Sequence, residues 1–238
     1  MLRLLAPIFW LLAPDSCDRN EDLMNCCTTC GGLESQFDRR RVARKLAEYR
    51  AHGPDPTSRM LVDAILAQRP RGSTMLDIGG GVGALQHALL AAGLDEAVGV
   101  DASQAYITAA TEEAARRGYA ERVRFQHGDF VALADQIAPA DIVTLDRAIC
   151  CYPDMPALVG QSAAKARLLY GLVYPRDTWW LHAARIAING AERLQCSAFR
   201  FFVHPTAAVD ALVRSHGFAP AFQQNAGVWQ VALYRRVA

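Results

Sequence analysis

No stretch of this 238-residue chain is apolar over a bilayer's thickness. The nearest approach, Leu2 to Pro14, is broken by Pro7 and Pro14 and lacks a small-x-small cleavage site. It reads as a segment outside the fold with Met24 as an alternative start, or else as a packing arm or a poor signal. An excess of one charge sign is missing too. Lys and Arg number 25 against 24 Asp and Glu, a net charge of +1, so no global field favours nucleic acid or an anionic membrane. Repeats and low-complexity tracts are absent. A disulfide framework is also not indicated, because the seven cysteines are odd in number, and four (Cys17, Cys26, Cys27, Cys30) crowd the N-terminal region. Reduced thiols in a cytoplasmic protein are the expectation. Cys27 and Cys30 have metal-ligand spacing, but a structural zinc site needs a second such pair. A mobile, thiol-rich lid is at least as good a reading of these cysteines as a metal site, and no resident metal is assigned.

What is present is a core. Hydrophobic residues make up 52% of the chain, enough for one α/β domain with an elaboration. The most informative stretch is Thr74-Met75-Leu76-Asp77-Ile78-Gly79-Gly80-Gly81-Val82-Gly83-Ala84-Leu85. It reads as an apolar strand, a glycine turn and the start of a helix, Ala84 to Ala92. Glycines let backbone N–H groups approach a ligand, and the helix N-terminus favours an anionic group there. Asp77 beside the turn would repel a pyrophosphate. It suits a ligand that carries an amino group as well as a carboxylate.

Strands and helices then alternate. Ala97–Val100, Arg122–Gln126, Asp141–Leu145 and Leu168–Val173 read as strands, with helices over Gln104–Arg117, Phe130–Asp135 and Pro156–Ala166. This predicts a doubly wound, mostly parallel sheet. Ahead of it, Leu33 to Arg50 and Arg59 to Gln68 read as helices, the second capped by Thr57 or Ser58. Asp177 to Cys196 reads as an aromatic amphipathic helix and Phe199–Val203 as extended. A helix follows from Pro205 to Gly217, and Phe218–Gln223 with Val228–Tyr234 form a terminal antiparallel pair. The expected division is 1–23 an apolar segment set apart from the fold, 24–70 a helical lid or arm, and 71–238 the α/β domain, with a cap insertion at 177–203.

Three features fall at the carboxyl ends of the first three strands, where open α/β sheets bind ligands. They are the loop with Asp77, Gly79, Gly81 and Gly83; Asp101, about 20 residues past the first glycine and placed to accept ribose hydroxyls; and Gly128-Asp129-Phe130, an acid for an exocyclic amine with a ring beside it. A dinucleotide fingerprint, Gly79-x-Gly81-x-x-Ala84, competes, but Asp77 disfavours it. Together Asp77-Ile78-Gly79-Gly80-Gly81-Val82-Gly83, Val98-Gly99-Val100-Asp101-Ala102-Ser103 and Gly128-Asp129-Phe130 resemble the seven-stranded, class I S-adenosylmethionine-dependent methyltransferases. The resemblance covers roughly 57–236. It implies sheet order 3-2-1-4-5-7-6 with the last strand antiparallel, and S-adenosylmethionine as cofactor. It implies Gly79 and Gly81 at the methionine moiety, Asp101 with Ala102 and Ser103 at the ribose, and Asp129 with Phe130 at the adenine.

In that family the segment after strand 4 faces the acceptor; here it is Asp146-Arg147-Ala148-Ile149-Cys150-Cys151-Tyr152. The asparagine–proline–proline–aromatic signature of nucleic-acid and protein amino-group methylation is absent, which points to a small-molecule acceptor and no nucleic-acid or membrane partner. Asp146, Cys150, Cys151 and Tyr152 are the candidate catalytic residues, Asp146 also touching the cofactor. Tyr49, Tyr174, Trp179, Trp180 and His204 join Cys150 and Cys151 as candidate acceptor contacts, the tryptophans from a cap over the site. A thiol is nucleophilic near neutrality without a strong base, so the cysteines favour S-methylation of a small thiol, sulfide or other soft acceptor. Open alternatives are O-methylation of an aromatic hydroxyl or of a tetrapyrrole carboxylate paired with Arg147, Arg176 or Arg185, arsenite methylation, and a non-catalytic S-adenosylmethionine-binding module. A monomer or homodimer is expected.

Overall fold

Seven strands form one sheet in a computed structural model that describes residues 36–68 and 73–237. They are β1 (Thr74–Ile78), β2 (Glu96–Asp101), β3 (Val123–His127), β4 (Ala140–Asp146), β5 (Ala166–Pro175), β6 (Phe218–Ala226) and β7 (Trp229–Arg236). The order is β3-β2-β1-β4-β5-β7-β6. The first five strands are parallel neighbours, and β7 runs antiparallel to both β5 and β6. This is the expected topology. The central strands are apolar on both faces because helices cover both. Ile142, Val143, Leu145, Leu172 and Val173 are all fully buried.

The helices are α1 (Arg39–His52), α2 (Pro56–Ala67), α3 (Ala84–Ala91), α4 (Gln104–Arg116), α5 (Phe130–Leu133), α6 (Met155–Lys165), α7 (Trp179–Leu194) and α8 (Thr206–Ser215). On one face Leu61 and Ile65 of α2 and Leu85 and Leu89 of α3 pack on Met75, Ile142 and Val231. On the other, Phe130, Leu158, Val159, Val209 and Val213 of α5, α6 and α8 pack on Val143, Leu145 and Leu172. Each such fully buried aliphatic side chain contributes roughly 1.5–3 kcal/mol. Val42, Leu46 and Tyr49 of α1 cluster with Ala109 of α4.

Several boundaries differ from the sequence reading. The cap of α2 is Asp55, whose carboxylate accepts from the Thr57 and Ser58 N–H groups, with Pro56 at the first helical position, where a missing N–H costs nothing. α1 starts at Arg39 because Asp38 caps it by accepting from Arg41 N–H at 2.8 Å. β5 runs to Pro175 because β7 pairs with its whole second half. Segment 199–203 is not a strand; Phe202 N–H bonds Cys150 O at 2.7 Å, in the loop after β4, rather than a strand. The apolar segment 1–23 and Cys17, Cys26, Cys27 and Cys30 lie outside the described residues.

Candidate active site

The loop after β1 takes its shape from glycine. Gly79, Gly81 and Gly83 have φ of 69°, 58° and 77°, values that L side chains adopt with strain. A Cβ on Gly79 would also come within 2.8 Å of the Ala148 methyl, and one on Gly80 would strike the Asp77 carboxylate. The loop therefore leaves its backbone open toward the carboxyl edge of the sheet, and Gly83 begins α3.

Asp77 lies beneath this loop and has no exposed surface. Its carboxylate accepts from Thr144 Oγ1 at 2.6 Å and Gln86 Nε2 at 3.2 Å. Burial pushes its pKa up to about 7, against the pull of the Thr144 bond. The sequence reading placed Asp77 against the ligand. In the structure it is the floor of the loop, held by β4 and α3, and it does not line the cavity.

Asp101, at the end of β2, accepts from Gly81 N–H at 3.1 Å and Ser103 N–H at 2.8 Å. It fixes the glycine loop to the loop after β2. Ser103 is buried as the cap of α4 and lies off the cavity wall, whereas Ala102 is on it. Asp129 caps α5, accepting from Val131 N–H at 2.9 Å, and takes a second bond from the Tyr152 hydroxyl at 3.0 Å.

These loops border a cavity of about 1320 Å³. Gly79, Gly81, Asp101, Ala102, Asp129, Phe130, Asp146, Cys150, Cys151 and Tyr152 all line it. Pro54, Pro56, Met60 and Ala64 of the α1–α2 region, Phe199 and Phe201, and Phe222 and Trp229 of the terminal strands supply an apolar remainder. Pockets for one small ligand run to roughly 300–1,000 Å³, so there is room for a donor and a sizeable acceptor.

At the junction of the two halves is an ionic cluster. Arg147, in a left-handed backbone conformation at φ 60°, bonds Asp55 and donates to Asp146 Oδ1 at 3.0 Å and to Ser58 Oγ at 3.0 Å. Ser58 Oγ donates to Asp146 as well. Burial raises the Asp146 pKa and Arg147 opposes that rise. Burial acts the same way on Asp55, but Arg147 and the Ser58 and Thr57 bonds hold its carboxyl below the usual range. The Arg147 guanidinium also sits 5.7 Å from the Trp229 ring centre. No sequence signal linked Arg147 to Asp55 or Ser58.

The remaining candidates divide. Cys150 is buried and donates its thiol to Arg147 O at 3.1 Å. Its pKa is pushed well up by the contact with Cys151, 3.8 Å away, and by burial, so it is a thiol rather than a thiolate. Tyr49 borders the cavity with a buried ring, its hydroxyl 3.5 Å from His87 Nδ1. His204 does not reach the cavity; its Nε2 lies 3.1 Å from both Ile149 O and Tyr152 O and braces the loop after β4. Tyr174 is buried on β5 opposite Gln230, away from the cavity. Trp179 and Trp180 do not cap it either: they are 82% and 40% exposed, on the outer side of α7. Amphipathic spacing shows that α7 has an apolar stripe but not which way it faces. The covering aromatics are Phe199 and Phe201. Arg176 bonds Gly227 O, and Arg185 lies within α7. Among the described residues no three His, Cys, Asp or Glu side chains group as a metal site.

Comparison with known proteins bears on this site. Residues 70–169 match a protein-family model described as a methyltransferase domain. No curated protein sequence matches. Solved structures do: magnesium protoporphyrin IX methyltransferase from Synechocystis PCC 6803, solved with bound SAH, has a TM-score of 0.69 at 19% identity, covering 90% of this chain and 100% of that one. An O-methyltransferase family protein from Burkholderia thailandensis gives 0.68 at 19% identity, over 87% of this chain and 63% of the other. A putative sarcosine dimethylglycine methyltransferase from Galdieria sulphuraria gives 0.60 at 12% identity, over 76% and 85%. Residues 70–169 are thus similar to a methyltransferase domain, and the chain as a whole has the fold of these solved methyltransferases.

Proposed function

We propose that this protein transfers a methyl group from S-adenosylmethionine to a carboxylate oxygen of a large, apolar acceptor. The observation that carries this reading is the apolar half of the cavity, where Met60, Phe222 and Trp229 face a volume that a small thiol would leave unfilled.

The donor half fits the cofactor. The glycine loop keeps clear the space that a Cβ at Gly79 would occupy, and its N–H groups with the start of α3 suit the methionine carboxylate. Asp101 suits the ribose hydroxyls, and Asp129 with Phe130 the adenine. S-adenosylmethionine supplies a methyl group on a cationic sulfur. The chain's own part is to align, exclude water and hold charge. The Asp55 and Asp146 carboxyl oxygens on the cavity wall suit a cationic donor nearby. A carboxylate acceptor is already nucleophilic and needs no base. Arg147, anchored by Asp55 and stacked toward Trp229, gives the acceptor a planar cation to lie against. The magnesium protoporphyrin methyltransferase likeness agrees with a flat, carboxylate-bearing acceptor.

A soft, small acceptor is the second reading, favoured by Cys150 and Cys151 on the cavity wall. One assay separates the two. Purified protein and methyl-labelled donor are offered porphyrin carboxylates, long-chain and aromatic carboxylic acids, phenols, thiols, sulfide and arsenite. Base-labile label on a carboxylic acid is expected. Turnover of thiols with inert carboxylates would replace the first reading by the second, and binding of the donor with no acceptor turned over would leave a binding module.

A further inference from the structure

The apolar stripe of α7 faces solvent. Trp179, Trp180, Ile186, Ile188 and Leu194 are five of the eight large hydrophobic side chains that the described residues expose, and Val228, in the turn beside α7, is a sixth. Ala183, Ala187, Gly190 and Ala191 complete the outer face, on which Arg193 is the one charged residue. The polar side chains His182, Arg185, Asn189 and Glu192, at helical spacing, turn toward the body. His182 Nε2 lies 2.7 Å from Asp177, and Asn189 bonds both N–H and C=O of Phe201. Leu181 is the helix's one buried residue. This is the reverse of a helix that packs on a core, and large apolar side chains exposed together on one helix mark a docking site.

We propose that α7 lies on a membrane surface rich in anionic phospholipid, with Trp179, Trp180, Ile186 and Leu194 in the boundary between headgroups and acyl chains. At 16 residues it is about 24 Å long, and no described helix is long and apolar enough to cross a bilayer, so it lies in the plane. Paired tryptophans suit the headgroup level. Charge is complementary: Arg176, Arg193 and Arg200 flank the stripe, while Glu192 turns toward the body and Asp177 is engaged by His182. A second copy of the chain fits less well. Antiparallel pairing would set the Arg176 end of one α7 against the Arg193 and Arg200 end of the other. The helix also joins two cavity walls: Phe199 and Phe201 follow it, and Arg176 N–H bonds Val228 O next to Trp229. That an acceptor dissolved in the bilayer enters there rests on the apolar-acceptor reading; the docking itself does not.

The full chain is floated with vesicles of phosphatidylcholine alone and of phosphatidylcholine with phosphatidylglycerol, beside Ile186→Asp/Leu194→Asp and Arg193→Glu variants. Both aspartate positions are well exposed, so melting temperature and S-adenosylhomocysteine binding are expected to match wild type. Wild type floats with the anionic vesicles and its tryptophan emission shifts to the blue. The aspartate pair loses at least ~10-fold in partitioning, and Arg193→Glu loses less. Failure of wild type to float overturns the proposal, as does equal flotation by the aspartate pair. A concentration-dependent dimer abolished by Ile186→Asp, without vesicle binding, assigns the face to a second copy instead. Vesicle binding with no turnover of apolar carboxylates would retain the docking and remove the acceptor reading.

Discussion

The Tyr152 hydroxyl donates to Asp129 Oδ2 at 3.0 Å and so ties the loop after β4 to the loop after β3 across the cavity. Asp129 is the cap of α5 and, in the proposed function, the acid for an adenine amine. On that reading Tyr152 holds a donor-binding group from the acceptor side. Replacing it by phenylalanine removes one hydrogen bond to a charged acceptor, worth about 1.5–3 kcal/mol. Tyr152→Phe is expected to lower the melting temperature by several degrees and, on the adenine reading of Asp129, to weaken S-adenosylhomocysteine binding about 10-fold by calorimetry. Unchanged affinity would show that the tyrosine serves the loop alone.

Asp77 gives a pH dependence. Its pKa rises from 3.8 unfolded to about 7 folded because it is buried. Between those values the folded protein keeps a proton that the unfolded chain has lost. This contribution to stability therefore falls as pH climbs from about 4 to about 7, and is flat above, by an amount on the order of 4 kcal/mol. Asparagine cannot ionise. Gln86 Oε1 lacks a hydrogen-bond partner among the described residues, so a flip of the Gln86 amide would let it accept from the new Asn Nδ2. Asp77→Asn is expected to flatten the slope and to be more stable than wild type at pH 8 in urea unfolding. Lower stability at pH 8 would contradict the buried, proton-holding role.

The topology was legible because each link of it has a local signal. Buried parallel strands are apolar runs, and a loop with three left-handed residues must be spelled with glycine, as at Gly79, Gly81 and Gly83. The ends of β1, β2 and β3 then placed Asp101 and Asp129 on the cavity wall. Contacts without local signal were not legible. Arg147 meets Asp55 across 92 positions, and Asp77 meets Thr144 across 67. An acid at a strand end reads the same whether it faces a ligand or the interior, and an amphipathic helix reads the same whether its stripe faces in or out. That is why Asp77 was expected at the ligand and Trp179 over the site.

Glu113 is a further residue whose role is spatial, although Arg116 and Arg117 stand at helical spacing from it. Its carboxylate has no exposed surface and accepts from Arg116 Nη2 at 2.5 Å, Arg116 Nε at 2.8 Å, Arg117 Nε at 2.7 Å and Arg50 Nε at 2.8 Å. The Arg50 bond fastens α1 to α4. The Arg116 bond, with those of Arg50 and Arg117, outweighs burial and holds the carboxyl far below the usual range. The stabilisation is thus present above the unfolded pKa near 4.5 and lost as pH falls below it. Breaking a buried pair can cost 3–5 kcal/mol, but these arginines are 30–51% exposed, so about 1–3 kcal/mol is expected. Glu113→Gln should lose that much at pH 7 in urea unfolding and respond less to acid than wild type. Equal stability at pH 7 would remove the anchor.

Trp229 tests the division of the cavity into two halves. It opens β7, lines the apolar wall and lies 5.7 Å from the Arg147 guanidinium. β4 and β5 separate its strand from β1 and the glycine loop in the sheet order, so its loss should spare the donor. Removing an aromatic that both packs on an acceptor and fixes the cation beside it costs about 1–2 kcal/mol. Trp229→Ala is therefore expected to leave S-adenosylhomocysteine affinity within twofold, to raise acceptor KM roughly 10-fold and to change kcat less, the pattern of lost uniform binding. Phenylalanine at the same position should restore part of the KM. A fall in donor affinity as large as the fall in kcat/KM would mean that the wall and the glycine loop act as one site, and the apolar half would no longer argue for a large acceptor.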